Sequence, residues 1–358
     1  MKRRTLMTLA AAALVGVLAV AIAAAAGMGR AAPAKKSATV KVALVTDVGG
    51  LNDHGFNHLA YVGLQKAIKA KLITKANGRV YITQSAADRK PNLQAAAQAG
   101  YGLVIATGVL FEFGDLNAVA PAFPKTKFAG VDVEWGANGL NCPTCTNVRG
   151  IQFREQEAGY LVGYIAGLWE KRHPKKGHNV VGGVGANKVP AITRYLAGYK
   201  AGVHKAWPKV KVLIDYANDP TFNDQAKCRE TTQNHLGQGS RIEFMAAGGC
   251  GLGGLKLAKQ NHIWGIGVDA DQGFLGKHIL TSATKHVDLS VYEAIKAFKA
   301  NPSGFKGGFN KNYTVKNHGV GYGKLSKALS KADRAYITKR VNAISKLIAS
   351  GKIKPPSA

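Results

Sequence analysis

The sequence has few acidic residues for its length. Only 20 of its 358 residues are Asp or Glu, against 49 Lys and Arg, so its formal net charge is +29. Residues 1–34 contain four basic residues and no acidic one, and their removal would leave +25. Such a charge suggests nucleic-acid binding, but the lysines are spread through every segment and no basic stripe alternates with aromatic residues. We therefore predict no nucleic-acid partner. We interpret the positive charge as a means of attraction to an anionic cell envelope, or as an adaptation to the organism's surroundings.

The sequence also lacks familiar catalytic motifs. It has no Gly-x-Ser-x-Gly elbow, no His-Glu-x-x-His pair and no cluster of aspartates of the kind that holds a catalytic metal ion. His54 and His58, at helical spacing beside Asp53, could bind a metal ion, but without a third clear ligand we expect them to form a solvated face. The sequence predicts no catalytic residue, no cofactor and no metal site.

Only the N-terminus contains a long hydrophobic run. A basic start at residues 2–4 precedes the apolar stretch from Leu6 to Ala26, and an Ala-x-Ala pattern follows at residues 32–34. We predict a signal peptide over residues 1–34 and an exported protein, periplasmic or at the cell surface or extracellular. Since the run approaches the ~20 residues that span a bilayer, an uncleaved N-terminal anchor is the alternative.

Four cysteines are present, and export makes disulfides possible. We expect two structural bridges, a short one between Cys142 and Cys145 and a longer one between Cys228 and Cys250. A zinc site is the alternative, but Cys228 and Cys250 are too far apart to form a second zinc knuckle. Redox catalysis by the Cys-Pro-Thr-Cys motif is less consistent with its Gly/Asn/Pro-rich surroundings, because such motifs usually open a helix.

Apolar, β-branched runs alternate with helical stretches, which predicts parallel sheets with right-handed crossovers. The predicted strands are Val40–Thr46, Val80–Thr83, Leu103–Ala106, Phe128–Val133, Val180–Val184, Val210–Tyr216, Ile242–Ala246 and Ile263–Val268. The predicted helices are His54–Ala70, Asn92–Ala99, Ala191–Ala206, Asp224–Leu236 and Gly254–Lys259, with further helices within residues 153–179 and 332–353. The series divides at residues 153–179 into two similar halves. We predict an α/β fold of two doubly wound lobes.

In such sheets ligands bind at the carboxyl ends of the strands. Asp47, Asp132 and Asp269 each end a predicted strand, so these ends would line one cleft if the lobes face each other. The run from Gly249 to Gly254 matches Gly-x-Gly-x-x-Gly, and Asp269 follows 20 residues after its first glycine. This pattern is the dinucleotide-binding fingerprint. The alternative is that the glycines only let a helix pack closely on a strand.

Four blocks carry a family resemblance. The segments VALVTDVGGLNDHGFN, FREQEAGYLVGYIAGL, AAGGCGLGGLKLA and GIGVDADQ, the last followed by LTSATKHVD, resemble signature segments of the basic membrane protein family. Its members are purine-nucleoside-binding, substrate-binding proteins of ABC transporters. The resemblance extends from Val40 to the last predicted helix. It implies a periplasmic-binding-protein type I fold, with two lobes joined by three crossing segments. We expect residues 40–153 and 270–303 in lobe 1, and residues 154–269 and 304–352 in lobe 2.

The resemblance also implies contacts to the base of a nucleoside. Asp47 and Asn57 would hydrogen-bond the base, Phe56 would stack on one face, and Phe222 would cover the other face from the second lobe. The alternatives are that Phe56 is a core aromatic and that Asp47 caps the first helix.

By the same resemblance, Asp269 and Lys285 would hold the ribose hydroxyls, while Gly248 and Gly249 would allow close approach of the backbone. The expected partner is an ABC permease in the membrane, and the expected state is a monomer without enzymatic activity. An exported enzyme that uses a nucleoside or a dinucleotide is the alternative function.

Overall fold

The computed structural model describes residues 40–357, so the predicted signal segment and its alternative, an uncleaved anchor, lie outside the described residues. The strands are β1 (Val42–Val45), β2 (Gly78–Tyr81), β3 (Leu103–Thr107), β4 (Lys127–Val131), β5 (Val148–Phe153), β6 (Val180–Gly185), β7 (Lys211–Tyr216), β8 (Ser240–Ala246), β9 (Trp264–Asp269), β10 (Ile279–Lys285), β11 (Phe309–Tyr313) and β12 (Val320–Tyr322). The helices are α1 (Phe56–Lys69), α2 (Arg89–Gln98), α3 (Asp115–Val119), α4 (Glu155–Arg172), α5 (Pro190–Ala206), α6 (Gln225–Gly237), α7 (Gly251–Gln260), α8 (Val287–Ala300) and α9 (Lys331–Ala349). None of these helices combines the length and the apolar character that a membrane crossing requires.

The described strands form two six-stranded sheets. The first has the order β11-β5-β4-β3-β1-β2, and all its pairs are parallel. The second has the order β12-β10-β9-β8-β6-β7, and only β12 is antiparallel to its neighbour. The order β5-β4-β3-β1-β2 therefore corresponds to β10-β9-β8-β6-β7. The predicted α/β fold with two parallel sheets is confirmed.

The chain passes between the two lobes three times. It leaves the first sheet at Arg154, returns to it at His286, and leaves it again within residues 314–319. The Arg154 N–H donates to the carbonyl of Tyr313, and the His286 N–H donates to that of Gly319, both at 2.8 Å. The crossing segments are thus hydrogen-bonded to one another.

The later crossings differ from the boundaries expected at residues 270 and 304. Strand β10 pairs with β9 in the second sheet, and β11 pairs with β5 in the first, so lobe 2 continues through residue 285 and lobe 1 through residue 313. Strand β10 reads ILTSATK and is buried throughout, but it lacks the apolar run by which other strands were predicted. Two of its three hydroxyls form hydrogen bonds within the fold: Thr281 donates to the Gly323 carbonyl at 2.9 Å, and Ser282 accepts from the Gln272 N–H at 3.0 Å. Strands β5, β11 and β12 and helices α3 and α8 were not predicted either.

Helices α4 and α5 pack at close range and fix one side of the second lobe. A Cβ atom added to Gly159 would lie 2.1 Å from the carbonyl oxygen of Tyr195, and one added to Gly198 would lie 2.1 Å from that of Gln156. Only glycine allows this approach at both positions, since real Cβ atoms do not approach backbone atoms so closely. The contact sets the position of Tyr195, whose side chain points between the lobes.

The cysteines form the two expected bridges, Cys142–Cys145 and Cys228–Cys250. The first closes a turn between β4 and β5. The second ties α6 to the residue before α7, so it joins the two segments that border the second lobe's strand ends. With both pairs bridged, no free thiol remains among residues 40–357.

Candidate functional site

A cleft lies between the carboxyl ends of the two sheets and encloses about 700 Å³ of empty space, including its mouth. All eight residues predicted to bind the ligand line it: Asp47, Phe56, Asn57, Phe222, Gly248, Gly249, Asp269 and Lys285. The rims of the cleft touch each other, because the Gln272 side chain donates to the His54 carbonyl at 3.3 Å and the Phe274 ring lies 5.6 Å from the His54 ring. The fold therefore brings residues that are more than 200 positions apart in the sequence into one site.

Asp47 follows β1 and forms an ion pair with Arg89, the first residue of α2. The Arg89 Nε atom lies 2.7 Å from Asp47 Oδ1, which also accepts from the Val48 N–H at 2.8 Å. Burial raises the pKa of the Asp47 carboxyl, and the Arg89 guanidinium opposes that rise. The hydrogen bonds do not support the alternative role of Asp47 as a cap of the first helix, because its carboxylate binds Arg89 and the Val48 N–H.

Asp53 is the carboxylate that holds the start of α1. It accepts from the N–H groups of Gly55, Asn57 and His58 at 2.7–3.0 Å. Asn57 is engaged on both sides of its amide: its Oδ1 accepts from the Asp47 N–H at 3.0 Å and its Nδ2 donates to Asp53 at 3.2 Å. Asn57 therefore braces the loop and keeps one amide N–H for a ligand.

Two aromatic rings line opposite walls of the cleft. Phe56 opens α1 in lobe 1; its half-buried ring lines the cleft and also packs against the edge of the core. Phe222 lies in lobe 2 with a left-handed backbone, φ +58°. Its carbonyl accepts from the Cys250 N–H at 3.0 Å, and the Asp219 carboxylate organises its loop by accepting from the N–H groups of residues 221, 223 and 224. The ring positions are thus set by backbone contacts on both lobes.

The inner end of the cleft contains a buried charge cluster around Lys285. The Lys285 Nζ atom lies 2.6 Å from Asp132 Oδ2 and 3.0 Å from Glu155 Oε1, and its side chain is only 2% exposed. Glu155 also binds Arg194 at 2.7 Å. Burial lowers the pKa of Lys285, but the nearby carboxylates, Asp132 first, outweigh it and raise the pKa, so this lysine is positively charged. Two of its three N–H donors are occupied, which leaves one for a ligand.

Asp269 ends β9 beside this cluster. The Tyr195 hydroxyl donates to Asp269 Oδ1 at 3.3 Å. Burial raises the pKa of Asp269 to about 7, Lys285 lowers it, and the carboxylates of Asp132 and Asp53 raise it further. A group that titrates near neutrality can either accept or donate hydrogen bonds, depending on its protonation.

Sequence reasoning did not assign roles to Asp132, Tyr195 or Arg89. Asp132 lines the cleft, and its Oδ1 atom is buried without a hydrogen-bond partner in the described part of the chain. A signal for it exists in the sequence, because GVDVE at residues 130–134 repeats as GVDAD at residues 267–271. No comparable pattern connects Arg89 with Asp47, whose contact depends on how α2 packs.

The glycine run before and in α7 serves both the site and the packing. Gly248 and Gly249 line the cleft. A Cβ atom added to Gly253 would lie 2.0 Å from the carbonyl oxygen of Gln225, and one added to Gly254 would lie 2.4 Å from Met245 Sδ. These later glycines let α7 pack on α6 and β8, which favours the packing interpretation of the motif over a dinucleotide site.

No group of three or more metal-ligating side chains occurs among residues 40–357. His58 Nδ1 lies 3.3 Å from the Leu51 carbonyl oxygen, and Asp53 is committed to the start of α1. The histidine pair has no third ligand here.

Comparison with known proteins identifies the family. The family model Bmp, described as "ABC transporter substrate-binding protein PnrA-like", matches residues 40–354. The chain belongs to this Bmp family. It is 33% identical over 342 residues to the CD4+ T-cell-stimulating antigen of Listeria monocytogenes, which covers 90% of this chain and 89% of that one. It is 32% identical over 343 residues to the ABC transporter nucleoside-binding protein BmpA of Lactococcus lactis, with 90% and 91% covered.

A solved structure of similar fold is an ABC transporter solute-binding protein of Aeropyrum pernix. Its TM-score is 0.74 and its sequence identity 26%, over 89% of this chain and 94% of that one. The predicted family and the predicted class, a substrate-binding protein of an ABC transporter, are confirmed. The description of the family as substrate-binding proteins of ABC transporters implies a small-molecule ligand and a permease partner.

Proposed function

We propose that this Bmp protein captures a nucleoside, with a purine as the favoured base, in the cleft between its lobes. The observation that carries the proposal is that one cleft combines an aromatic ring from each lobe with buried carboxylates at its inner end. The name of the Lactococcus relative, a nucleoside-binding protein, supports the same ligand class.

The base would lie between Phe56 and Phe222. A nucleobase offers two π faces, and base–aromatic stacking is worth ~1 to 3 kcal/mol per base. Asp47 and the remaining amide N–H of Asn57 would hydrogen-bond its edge. Because the two rings belong to different lobes, the base is fully covered only when the cleft is closed, and binding would select that form.

The ribose would lie against Asp269 and Asp132. Carboxylates accept hydrogen bonds from neighbouring hydroxyls, and the remaining Lys285 N–H would donate to a hydroxyl oxygen. Gly248 and Gly249 leave room for the sugar to approach the backbone. With several carboxylates at this end, we expect a 5′-phosphate to be repelled, so that nucleosides bind better than nucleotides.

The proposal includes a cellular role. We infer that the chain is exported by its N-terminal segment, acts as a monomer and delivers its ligand to an ABC permease outside the cytoplasm. An enzyme that uses a nucleoside or dinucleotide is the weaker candidate, because the glycines of the dinucleotide-like motif are used in helix packing.

The test is a calorimetric panel on protein stripped of carried ligand by unfolding and refolding. The panel contains inosine, guanosine, adenosine, cytidine, free bases, free sugars, nucleoside monophosphates and a nicotinamide dinucleotide. We expect purine nucleosides to bind most tightly and free sugars not to bind. Tight binding of a free sugar, together with no detectable binding of any nucleoside, would overturn the proposal.

A further inference from the structure

We propose that Arg89 is a positioning residue for base recognition: from outside the cleft it holds the Asp47 carboxylate in a single orientation, so that Oδ2 is presented as an acceptor to an N–H group on the edge of the base. The inference rests on the proposed nucleoside-binding function and deepens it. Arg89 does not line the cleft, and no feature of the sequence marks it as functional.

The hydrogen bonds of Asp47 leave one oxygen for a ligand. Oδ1 accepts from Arg89 Nε and from the Val48 N–H, so its lone pairs are used. Oδ2 accepts no hydrogen bond from residues 40–357 and packs against Gly108, where an added Cβ atom would lie 2.6 Å from it. The carboxylate is therefore clamped on one side and presents its other side to the cleft.

Arg89 itself is held in place by the turn that precedes it. Asp88 accepts from the N–H groups of Gln84 and Ser85 at 3.1 and 2.8 Å and forms a capping box with Ser85. This turn places Arg89 at the first position of α2, with its side chain only 10% exposed and directed at Asp47. A buried guanidinium that donates to a ligand-facing carboxylate is more than a surface ion pair, because removal of one partner leaves the other uncompensated.

The surrounding charges make Asp47 depend on Arg89. Asp115, from α3, lies near both residues, and its carboxyl pKa is raised, first by burial and also by Asp47, while Arg89 and Lys90 oppose the rise. Without Arg89, Asp47 would lose the cation that lowers its pKa, while Lys90 would still act on Asp115. Asp47 would then hold its proton at higher pH and present a donor where the intact site presents an acceptor.

The experiment measures inosine binding by calorimetry in the full-length protein. We expect Arg89→Ala to bind inosine roughly tenfold or more weakly at pH 7, the loss of one charge-assisted hydrogen bond. The acid-side fall in affinity should begin at higher pH than in the wild type. Arg89→Lys, which retains the charge, should restore the pH profile in part. Arg79→Ala is the matched control, since Arg79 is an exposed arginine of the same lobe that stacks on Tyr81.

A double-mutant cycle separates positioning from general stability. If Arg89 acts through Asp47, then Arg89→Ala should have little effect on affinity or on the pH profile in the Asp47→Asn background. Equal losses in both backgrounds, or wild-type affinity and pH profile in a folded Arg89→Ala protein, would overturn the inference. If the wild type fails to bind inosine and every other nucleoside, the proposed function itself is wrong. If the wild type binds and Arg89→Ala has the same affinity and pH profile, only the role of Arg89 is wrong.

Discussion

Asp132 and Asp269 occupy corresponding positions in the two lobes, after β4 and at the end of β9, in strands that match in the order of the two sheets. Both have a left-handed backbone, with φ +64° and +62°, a conformation that aspartate tolerates better than most residues. Their surroundings differ. Asp132 accepts from the ammonium group of Lys285, whereas the hydrogen bond that Asp269 accepts within residues 40–357 comes from the hydroxyl of Tyr195.

The comparison shows how the same local motif can place two carboxyl groups in surroundings that affect their pKa values differently. Burial raises the pKa of Asp132, and the ammonium group of Lys285 opposes that rise. Asp269 forms no ion pair with a described residue, and burial raises its pKa to about 7. The ion pair with Lys285 thus favours the ionised form of Asp132, whereas Asp269 changes its charge near neutral pH.

The largest expected effect comes from removing the cation. In Lys285→Met, Asp132 and Glu155 would remain buried with one counter-charge fewer, and we expect the free energy of unfolding at pH 7 to fall by about 3 to 5 kcal/mol. Urea denaturation measures this. Lys311→Met is the control, since its ion pair with Glu293 is 41% and 36% exposed and should contribute less than about 1 kcal/mol. Similar losses in both variants would mean that the cluster has no special energetic role.

The next effect has the opposite sign. Because the pKa of Asp269 is raised to about 7, the folded protein keeps its proton between about pH 4 and 7, where the unfolded chain has lost it. This group's contribution therefore makes the protein less stable as pH rises through that window. Asp269→Asn should stabilise the ligand-free protein at pH 8 by on the order of 2 to 4 kcal/mol and have little effect at pH 4.

Asparagine also tolerates the left-handed backbone, so Asp269→Asn should fold normally. Asp132→Asn should instead destabilise the protein at pH 8, since it removes a partner of Lys285. Thermal unfolding at both pH values tests the contrast. If the two asparagine variants change stability in the same direction, the distinction between the two carboxyls is wrong.

A third prediction concerns the ribose. If Asp269 accepts hydrogen bonds from its hydroxyls, a 2′-deoxynucleoside should bind roughly tenfold or more weakly than the ribonucleoside. Asp269→Ala should weaken ribonucleoside binding and largely remove this preference, while Phe222→Ala should weaken both ligands alike. Calorimetry with inosine and 2′-deoxyinosine on each variant completes the cycle. A coupling energy near zero would place the ribose away from Asp269.

The smallest effect is on the pH dependence of binding. Ionised Asp269 is the better acceptor for hydroxyls, so nucleoside affinity should rise between pH 6 and 7, by up to about tenfold per pH unit, and level off above pH 7. Binding near pH 7 should release protons, which calorimetry in two buffers of different ionisation enthalpy detects. Asp269→Asn should bind more weakly without this rise, and a rise that persists in the variant would have to come from another group.

The sequence alone was enough to predict the α/β class, the disulfide pairs and most strands of the two sheets. Runs such as the buried VALV of β1 can be recognised as strands from the sequence, because strands covered on both faces of a sheet are predominantly apolar. The family resemblance directed attention to eight residues that line one cleft. The two Gly-Val-Asp segments also mark corresponding strand ends, although only the one at Asp269 was assigned a role.

Tertiary structure decided the rest, since it depends on which groups meet. Strand β10 is polar in sequence, and its place inside the sheet depends on neighbouring segments that hydrogen-bond the hydroxyls of Thr281 and Ser282. Lys285 becomes a partner of Asp132, 153 positions away, and Arg89 becomes a partner of Asp47 through the packing of α2. The charge and orientation of a buried carboxylate depend on its neighbours in space, and spacing along the chain does not specify those neighbours.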